Sequence, residues 1–189
     1  MNKSFIIKII LLCLVTIKVS AIEKVILFGD SLMAGYGLPN EQHLSVVLQN
    51  NLSLEGHNID IINGSVSGST SAGGLNIAEW TLSEPSIDFM ILCLGANDML
   101  RGINPKETKN NLEEIIKIAK SKNIKVIIAG MIAPTSYGFE YKKSFDTIFS
   151  DLSKKYKLQL IPFLLEGVAQ KPEFNLSDGM HPNDQGTII

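Results

Sequence analysis

The amino-acid sequence predicts an α/β fold in which five parallel β-strands form one sheet with helices on both faces. Short apolar runs alternate along the chain with longer stretches whose apolar residues recur at helical spacing. This order is typical of strand–helix–strand units with right-handed crossovers. Most of the short runs are continuously apolar, as in strands that are covered on both faces. The sequence has no internal repeat, low-complexity tract or linker, so one domain is expected.

The predicted strands are EKVILFG (23–29), NIDII (58–62), IDFMILCLG (87–95), IKVIIAGMI (124–132) and LQLIPF (158–163). Helical periodicity predicts helices over 43–54, 72–82, 107–122 and 141–156, and the pattern is weakest over 72–82. Asn104 and Pro105 precede the third of these helices, and Glu107 lies in its first turn. These three residues favour a helix start at that point.

Residues 1–21 have the pattern of a secretory signal peptide. Lys3 is followed by the apolar stretch IILLCLVTI and by the small-residue cleavage pattern Val19-Ser20-Ala21. That stretch has nine residues, whereas a membrane-spanning helix needs about 20. A cleaved signal is therefore favoured over a membrane anchor. A lipoprotein signal is disfavoured because Leu12, which is not small, precedes Cys13.

The charge of the mature chain argues against non-specific nucleic-acid binding. The sequence has 17 basic and 19 acidic residues. Three lysines lie within residues 1–21, so 14 basic residues against 19 acidic ones remain after cleavage, a net charge of −5. A nucleic-acid-binding surface needs a basic footprint. Cys93 would be the single cysteine of the mature chain, so no internal disulfide is expected, and its apolar surroundings indicate a small core residue.

Unusual polar residues follow the predicted strands. FGDS follows the first, NGSVSGSTS (63–71) the second and GANDMLRG (95–102) the third, while the fifth leads into SDGMHPND (177–184). Ligands of parallel α/β sheets bind beyond the carboxyl ends of the strands, so these four loops are expected to converge on one site.

Each of these loops supplies one part of the chemistry of acyl transfer. Ser31 is the candidate nucleophile, raised from a tight turn that Gly29 permits, and it needs an adjacent base. His181 is the candidate base, and Asp178, three residues earlier, can orient its ring. The backbone N–H groups of Ser31 and Gly68 and the side-chain amide of Asn97 can form an oxyanion hole.

Each motif alone has a simpler structural interpretation. GDS is a common turn, an Asp three residues before a His arises by chance, and Asn97-Asp98 could cap a helix. NGSVSGSTS could be a flexible loop or a phosphate cradle. The fixed order of these motifs, each after its own strand, favours the catalytic interpretation.

The four blocks GDSLMAGYG, NGSVSGSTS, LGANDMLRG and DGMHPN resemble those of the GDSL, or SGNH, hydrolases. The resemblance covers residues 24 to 186. It is closest to the bacterial periplasmic thioesterase I, protease I and lysophospholipase (arylesterase) subgroup. That subgroup is also resembled by IAPTSYG (132–138) and by the run from Tyr141 through PFLLEGVAQKPEF. It implies a flavodoxin-like, three-layer α/β/α sandwich without a metal or organic cofactor. It also implies Ser31 as the nucleophile, Asp178 and His181 as the rest of a catalytic triad, and Gly68 and Asn97 in the oxyanion hole.

Two features depart from the family pattern. Met99 stands where close relatives often carry Gly, beside the acyl-binding loop, so a different chain-length preference is expected. The sequence stops at Ile189, soon after HPND, where family members usually continue through a full terminal helix. The expected organisation is therefore a signal peptide over 1–21 and a hydrolase domain over 22–189 that lacks most of that helix. Either the sequence is a fragment of a longer protein, or the protein lacks the support of that helix, in which case lower stability and activity would follow.

Several other polar or aromatic residues receive structural interpretations. Asp30 is expected to brace its loop, and Trp80 to pack between helix and sheet. Asp98 and Arg101 are expected to organise their loop rather than to catalyse. The remaining expectations are that His57 is a surface or capping residue, that His43 lies at a helix start, and that the segments 36–40 and 136–138 line an acyl groove.

The resulting prediction is a secreted or periplasmic, monomeric serine hydrolase that cleaves acyl esters and thioesters of small molecules. Three alternatives stay open. The same site could deacetylate a carbohydrate or cleave short-chain acetyl esters. A non-catalytic flavodoxin-like module could hold a phosphate on GSTSAGG, although G-x-x-x-x-G-K-[ST] and G-x-G-x-x-G are absent from the sequence. An inactive, poorly folded hydrolase would follow from the missing helix.

Overall fold

The computed structural model describes residues 22–189, so the predicted signal peptide lies outside the described residues. Five strands form one parallel sheet in the order β2-β1-β3-β4-β5. They are β1 (Glu23–Gly29), β2 (Ile59–Asn63), β3 (Ile87–Cys93), β4 (Lys125–Ala129) and β5 (Gln159–Ile161). The predicted five-stranded parallel sheet is confirmed, and its strand order is that of flavodoxin-like folds.

Seven α-helices connect or follow the strands within the described residues. They are α1 (Ser31–Ala34), α2 (Leu44–Leu54), α3 (Ser71–Thr81), α4 (Ala96–Leu100), α5 (Pro105–Ser121), α6 (Phe139–Tyr156) and α7 (Asp184–Ile188). Helix α5 packs against both α3 and α6, whereas α2 packs on β2 and contacts α7. Right-handed crossovers place α3, α5 and α6 on one face of the sheet and α2 on the other. The sheet is thus the middle layer of a three-layer α/β/α sandwich.

The two faces of the sheet are buried to different extents. Met90 and Leu92 are fully buried on the face that carries Phe28, whose ring contacts Gly74 of α3. Phe89 and Ile91 point to the opposite face and are only half-buried. The larger core therefore lies beneath α3, α5 and α6.

The predicted strand ends at 95 and 132 extend too far. Strand β3 ends at Cys93 because Gly95, with φ +121°, turns the chain into α4. Strand β4 ends at Ala129, and the N–H of Gly130 donates to the carbonyl of Ile161 at 2.8 Å. The apolar residues beyond these points leave the sheet and contribute to the site described below.

Helix α5 begins at Pro105, two residues before the predicted start at 107, and Asn104 caps it. The Asn104 side chain accepts a hydrogen bond from Lys106 N at 2.9 Å, and Pro105 is the first helical residue. A proline at this position loses no intrahelical hydrogen bond. Within residues 22–189, no helix is both long enough and apolar enough to cross a membrane.

Candidate active site

The loops that follow β1, β2, β3 and β5 meet at the carboxyl edge of the sheet. Ser31 is the first residue of α1, directly after β1, and Asn97 lies in α4, after β3. The Asp30 side chain caps α1 by accepting from Leu32 N at 3.1 Å. Ser31, Gly68, Asn97 and His181 line one groove. The predicted convergence of the four loops is present in the structure.

Ser31, His181 and Asp178 form a continuous series of hydrogen bonds. Ser31 Oγ lies 2.8 Å from His181 Nε2, and His181 Nδ1 lies 2.7 Å from Asp178 Oδ2. An ionised carboxylate can only accept, so Nδ1 carries the ring proton and Nε2 is left to accept from the serine hydroxyl. This arrangement can take a proton from Ser31.

Asp178 is held in its charged form. Burial alone would raise the pKa of its carboxyl group. Hydrogen bonds from Met180 N and His181 N, at 2.8 and 3.0 Å, and the bond to the His181 ring outweigh that effect and lower the pKa to about 2. The carboxylate therefore stays ionised throughout the neutral range, where it fixes the ring orientation of His181.

Tyr36 covers the imidazole of His181. The two ring centroids are 4.5 Å apart, and the planes are inclined by 39°. Tyr36 lies in the 36–40 segment that is expected to line an acyl groove, and it does line the groove. Its contact with His181 is not evident from the sequence, because 145 positions separate the two residues.

The three candidate oxyanion donors belong to residues that line the same groove, Ser31, Gly68 and Asn97. Among residues 22–189, no protein atom accepts a hydrogen bond from the backbone N–H of Ser31 or of Gly68. The Asn97 side chain donates one amide hydrogen to Asp30 Oδ2 at 3.3 Å, and its second hydrogen remains available. The arrangement can place several donors on a developing negative charge.

Asp30 braces its loop, as expected, and also fixes the Asn97 amide. Its side chain is fully buried. Burial raises the pKa of the Asp30 carboxyl group to about 6, although the hydrogen bonds from Leu32 N and Asn97 act in the opposite direction. By accepting from Asn97 Nδ2 at 3.3 Å, the carboxylate fixes which end of that amide is turned towards Asp30.

Gly29 serves the site for a different reason from the predicted one. Its φ is not in the left-handed region, so no special turn requires a glycine there. A Cβ atom at this position would instead lie 2.6 Å from the carbonyl oxygen of Cys93 on the neighbouring strand. Gly29 allows β1 and β3 to approach each other directly below Ser31.

Asp98 ties the loop after β3 to two helices. Its buried carboxylate accepts from Ser71 N at 2.7 Å, from the Ser71 hydroxyl and from Thr108 Oγ1 at 3.1 Å. These bonds join α4 to the first residue of α3 and to α5. The start of α3 is therefore already occupied by a carboxylate, so the phosphate-cradle interpretation of GSTSAGG is wrong. The loop-organising role expected for Asp98 is confirmed.

Arg101 also organises the loop, through the backbone of Gly68. Its Nη2 donates to the Gly68 carbonyl oxygen at 3.0 Å. Gly68 has φ +79°, a conformation that favours glycine. The position of the Gly68 N–H thus depends on a glycine and on an arginine 33 residues away.

The groove that contains Ser31 has a volume of about 1040 Å³. Its apolar wall comes from the segments after β3, β4 and β5, including Met99, Leu100, Met131, Ala133, Pro134 and Phe163. Met99, the predicted departure from the family pattern, is therefore positioned to contact a bound chain. Residues 136–138 do not line the groove, so that prediction is wrong, and residues 131–134 take their place.

The other residues that the sequence analysis discusses lie away from the hydrogen-bonded series of Ser31, His181 and Asp178. His43 Nε2 is 3.0 Å from the Leu38 carbonyl oxygen at the start of α2, and His57 is exposed beside Glu55. Cys93 is fully buried, as expected. Trp80 is 81% exposed, so its predicted packing against the sheet is wrong. Within the described residues, no cluster of three His, Cys, Asp or Glu side chains is arranged to hold a metal ion.

Comparisons with known proteins point to one family. The GDSL-like Lipase/Acylhydrolase family matches residues 27–187. An arylesterase of Vibrio mimicus is 38% identical over 165 residues, which are 87% of this chain and 82% of that protein. The thioesterase 1/protease 1/lysophospholipase L1 of Escherichia coli (strain K12) is 31% identical over 172 residues, 91% of this chain and 81% of that protein.

A solved structure extends the likeness to three dimensions. The crystal structure of AlinE4, an SGNH-hydrolase family esterase, matches with a TM-score of 0.81 at 38% identity, covering 87% of this chain and 88% of that one. The chain therefore belongs to the GDSL-like lipase/acylhydrolase family and is an ester-hydrolysing enzyme.

Proposed function

We propose that this enzyme cleaves acyl esters and thioesters through a covalent acyl-enzyme on Ser31. The observation that carries the proposal is the 2.8 Å distance between Ser31 Oγ and His181 Nε2 within a largely apolar groove. A serine hydroxyl is a weak nucleophile until a neighbouring base removes its proton. His181, oriented by Asp178, is that base.

In the first half of the reaction, Ser31 Oγ attacks the acyl carbonyl carbon while its proton passes to His181 Nε2. The carbonyl oxygen becomes an oxyanion, which accepts hydrogen bonds from Ser31 N–H, Gly68 N–H and the Asn97 amide. The protonated imidazole then gives its proton to the departing alcohol or thiol. Loss of one oxyanion donor typically raises the barrier by about 2.7–4 kcal/mol.

In the second half, water takes the place of the departed group. The water oxygen attacks the acyl-enzyme carbonyl carbon while His181 Nε2 accepts a proton from that water molecule. The oxyanion again accepts hydrogen bonds from the three donors. When the intermediate collapses, the proton returns from His181 Nε2 to Ser31 Oγ. The products are a carboxylic acid and the free enzyme. These reaction steps need no cofactor.

The apolar lining of the groove supports the proposal that the enzyme binds its substrate by the acyl chain. Its wall is apolar over the segments after three neighbouring strands, and apolar surface removed from water contributes roughly 25 cal/mol per Å² to binding. The names of the relatives, arylesterase and thioesterase 1/protease 1/lysophospholipase L1, support oxygen esters and thioesters as the bonds cleaved.

Paired substrate series test this proposal. Purified protein should hydrolyse p-nitrophenyl esters and CoA thioesters of increasing acyl length, and Ser31→Ala should abolish both activities while the unfolding transition stays in place. An enzyme restricted to acetyl groups would lose activity beyond the shortest chains, which would favour the carbohydrate or short-chain acetylesterase alternative.

A fluorophosphonate probe tests the nucleophile directly. Labelling should occur in the unmodified protein and in Ser136→Ala, a change of an exposed serine outside the groove, but not in Ser31→Ala. Labelling of Ser31→Ala, or saturable nucleotide binding without labelling of the unmodified protein, would contradict the assignment.

The proposal also covers where the protein is found and its oligomeric state. Residues 1–21 act as a cleaved signal, and residues 22–189 work as a monomeric hydrolase domain in the periplasm or outside the cell. The support is the cleavage pattern Val19-Ser20-Ala21 in the sequence. The amino-terminal sequence of exported protein should begin near Ile22, and a full-length exported chain would argue for an uncleaved anchor.

A further inference from the structure

Neither burial nor a hydrogen bond of its hydroxyl group holds the ring of Tyr36 in place. Tyr36 is 53% exposed, although it lines the groove that contains Ser31. Among residues 22–189, its hydroxyl group forms no hydrogen bond. The contact that accounts for the position of the ring is the one with the imidazole of His181, at a centroid distance of 4.5 Å.

The backbone of Tyr36 is tied to the nucleophile. Tyr36 N donates to the carbonyl oxygen of Ser31 at 3.2 Å, and Leu38 N donates to that of Gly35 at 3.2 Å. This turn lies directly against His43, because a Cβ atom at Gly35 would be 2.3 Å from His43 Cδ2. His43 Nε2 is in turn 3.0 Å from the Leu38 carbonyl oxygen. The turn therefore holds Tyr36 at a fixed position relative to Ser31.

Tyr36 contacts His181 without competing for its ring nitrogens. His181 Nδ1 is 2.7 Å from Asp178 Oδ2, and His181 Nε2 is 2.8 Å from Ser31 Oγ. Both nitrogens are therefore engaged in the hydrogen-bonded series. The ring of Tyr36 is inclined by 39° to the imidazole and lies against it as an additional, aromatic neighbour.

Proton transfer changes the charge of the group that Tyr36 contacts. In the proposed mechanism, the proton of Ser31 passes to His181 Nε2, so the neutral imidazole becomes a cation in the transition state. The face of an aromatic ring is negative and attracts a cation within about 6 Å of its centroid. The separation of 4.5 Å is inside that range. An interaction that is stronger in the transition state than in the resting enzyme accelerates the reaction.

Other charged groups near His181 do not depend on Tyr36. They lie on the loop of His181 itself, directly after β1 and elsewhere along the groove: Asp178, Asp30, Glu166 and Lys171. An uncharged replacement of Tyr36 leaves all of these groups in the protein. A change in the titration of His181 can then be assigned to the loss of the aromatic ring.

We propose that Tyr36 is a positioning residue whose aromatic ring stabilises the protonated imidazole of His181. This inference rests on the proposed function and adds a residue to its site. Tyr36 acts through the imidazole rather than on the ester bond. The ring carries the effect, since the hydroxyl group has no hydrogen-bond partner among residues 22–189.

Three replacements separate the charge distribution of the ring from its hydroxyl group and its bulk. Tyr36→Phe keeps the ring, and Tyr36→Leu keeps only an apolar side chain. Replacing Tyr36 by 3,4,5-trifluorophenylalanine keeps the shape of the ring but weakens the negative charge of its face. Two rates are measured at about pH 8, above the range in which histidine ordinarily titrates: kcat for p-nitrophenyl acetate and the second-order rate constant of inactivation by diisopropyl fluorophosphate. Both reagents are too small to depend on the apolar wall of the groove.

The expected rates follow the aromatic ring. Tyr36→Phe should keep the rates of the unmodified enzyme, whereas Tyr36→Leu and the trifluorinated variant should lose about threefold to tenfold, the range of a cation–π contact. Phe139→Leu also replaces an aromatic residue by leucine, at a position that is 73% exposed and outside the groove, and should leave both rates unchanged. Equal rates for Tyr36→Leu and the unmodified enzyme, or for Tyr36→Phe and Tyr36→Leu, would overturn the proposal.

The titration of His181 is a readout that a purely structural role would not change. Its imidazole Cε1–H signal, assigned with His181→Gln, is followed by NMR between about pH 4 and pH 9. In Tyr36→Leu, the titration midpoint should lie about 0.5 to 1 pH unit lower than in the unmodified protein, because the charged imidazole loses a stabilising contact. The signal of the exposed His57 should titrate identically in both proteins. Slower rates with an unchanged His181 midpoint would overturn the proposal.

The outcomes distinguish this role of Tyr36 from the proposed function. Unmodified protein that neither hydrolyses p-nitrophenyl acetate nor reacts with diisopropyl fluorophosphate would contradict the proposed function. The NMR comparison then decides the role of Tyr36, because it needs no substrate. A lower midpoint in Tyr36→Leu would support the contact with the protonated imidazole, and an unchanged midpoint would overturn it.

Discussion

Replacing Asp30 by asparagine should remove a loss of stability that the folded protein suffers between about pH 4 and pH 7, and at the same time impair catalysis. The Asp30 carboxyl group is fully buried, and its pKa is raised by burial from 3.8 to about 6. A raised pKa means that the folded state binds the proton more tightly than the unfolded state. The stabilising contribution of Asp30 is thus complete below about pH 4 and is lost as the pH rises through about 6.

The magnitude follows from the shift. A difference of about two pKa units corresponds to about 3 kcal/mol, and roughly 2 kcal/mol of this should be lost between pH 4 and pH 7. Asparagine does not ionise. Relative to the unmodified protein, Asp30→Asn should gain about 2 kcal/mol of unfolding free energy between these pH values, measured by urea denaturation at each. A difference that does not change with pH would refute the buried-carboxyl argument.

The effect on activity tests the contact with Asn97. In Asp30→Asn, the introduced amide can still accept from Leu32 N, but its NH₂ group would then face the NH₂ of Asn97, and the Asn97 amide must turn over. The oxyanion then loses a donor, and kcat should fall by about 10²–10³. Asn97→Ala should lose a similar amount, and combining both changes should cost little more than Asn97→Ala alone. Fully additive losses would show that Asp30 does not act through Asn97.

Three further predictions concern stability and are measured by urea denaturation. Gly29→Ala places a Cβ atom 2.6 Å from the Cys93 carbonyl oxygen and should destabilise the fold by about 1–3 kcal/mol; an unchanged midpoint would mean that β1 and β3 separate easily. Asp98→Asn places an NH₂ group against the donors of Ser71 or Thr108. The free energy of unfolding should fall by about 1–3 kcal/mol for each group left unpaired. A smaller loss would imply that water enters the network. Trp80→Ser changes a side chain that is 81% exposed and should alter stability by less than about 0.5 kcal/mol; a larger loss would show that the tryptophan is packed.

The positions of Ser31 and His181 could be predicted from the sequence because of two simple regularities. Continuously apolar runs such as residues 25–28 identify buried parallel strands, and the carboxyl ends of such strands share one edge of the sheet. Residues that follow different strands are therefore brought together without any knowledge of the exact packing. The hydrogen bond between Ser31 and His181 is a direct result of this topology.

The position of Trp80 could not be predicted, because the buried face of α3 is formed by its smallest residues. Ser71, Gly74 and Ala78 face the core, and a Cβ atom at Gly74 would lie 2.3 Å from Leu94 Cδ1. The helix approaches the sheet so closely that no large side chain fits between them. Hydrophobicity alone places the tryptophan inside, whereas close packing places it outside.

The contacts of Asp30 with Asn97 and of Arg101 with Gly68 could not be predicted either. They join residues 67 and 33 positions apart. Which side chains meet across neighbouring loops depends on strand register and on the local conformation of each loop. In the sequence, both Asp30 and Arg101 resemble ordinary loop residues, and neither pairing leaves a periodic or compositional pattern.

The hydrogen bond between Ser31 and His181 spans 150 positions of the chain. A polypeptide still emerging from the ribosome therefore carries its serine long before the matching imidazole is synthesised. On the proposed mechanism, hydrolytic turnover begins only after both residues have been synthesised and brought together by folding. Activity is thus a sensitive measure of completed folding.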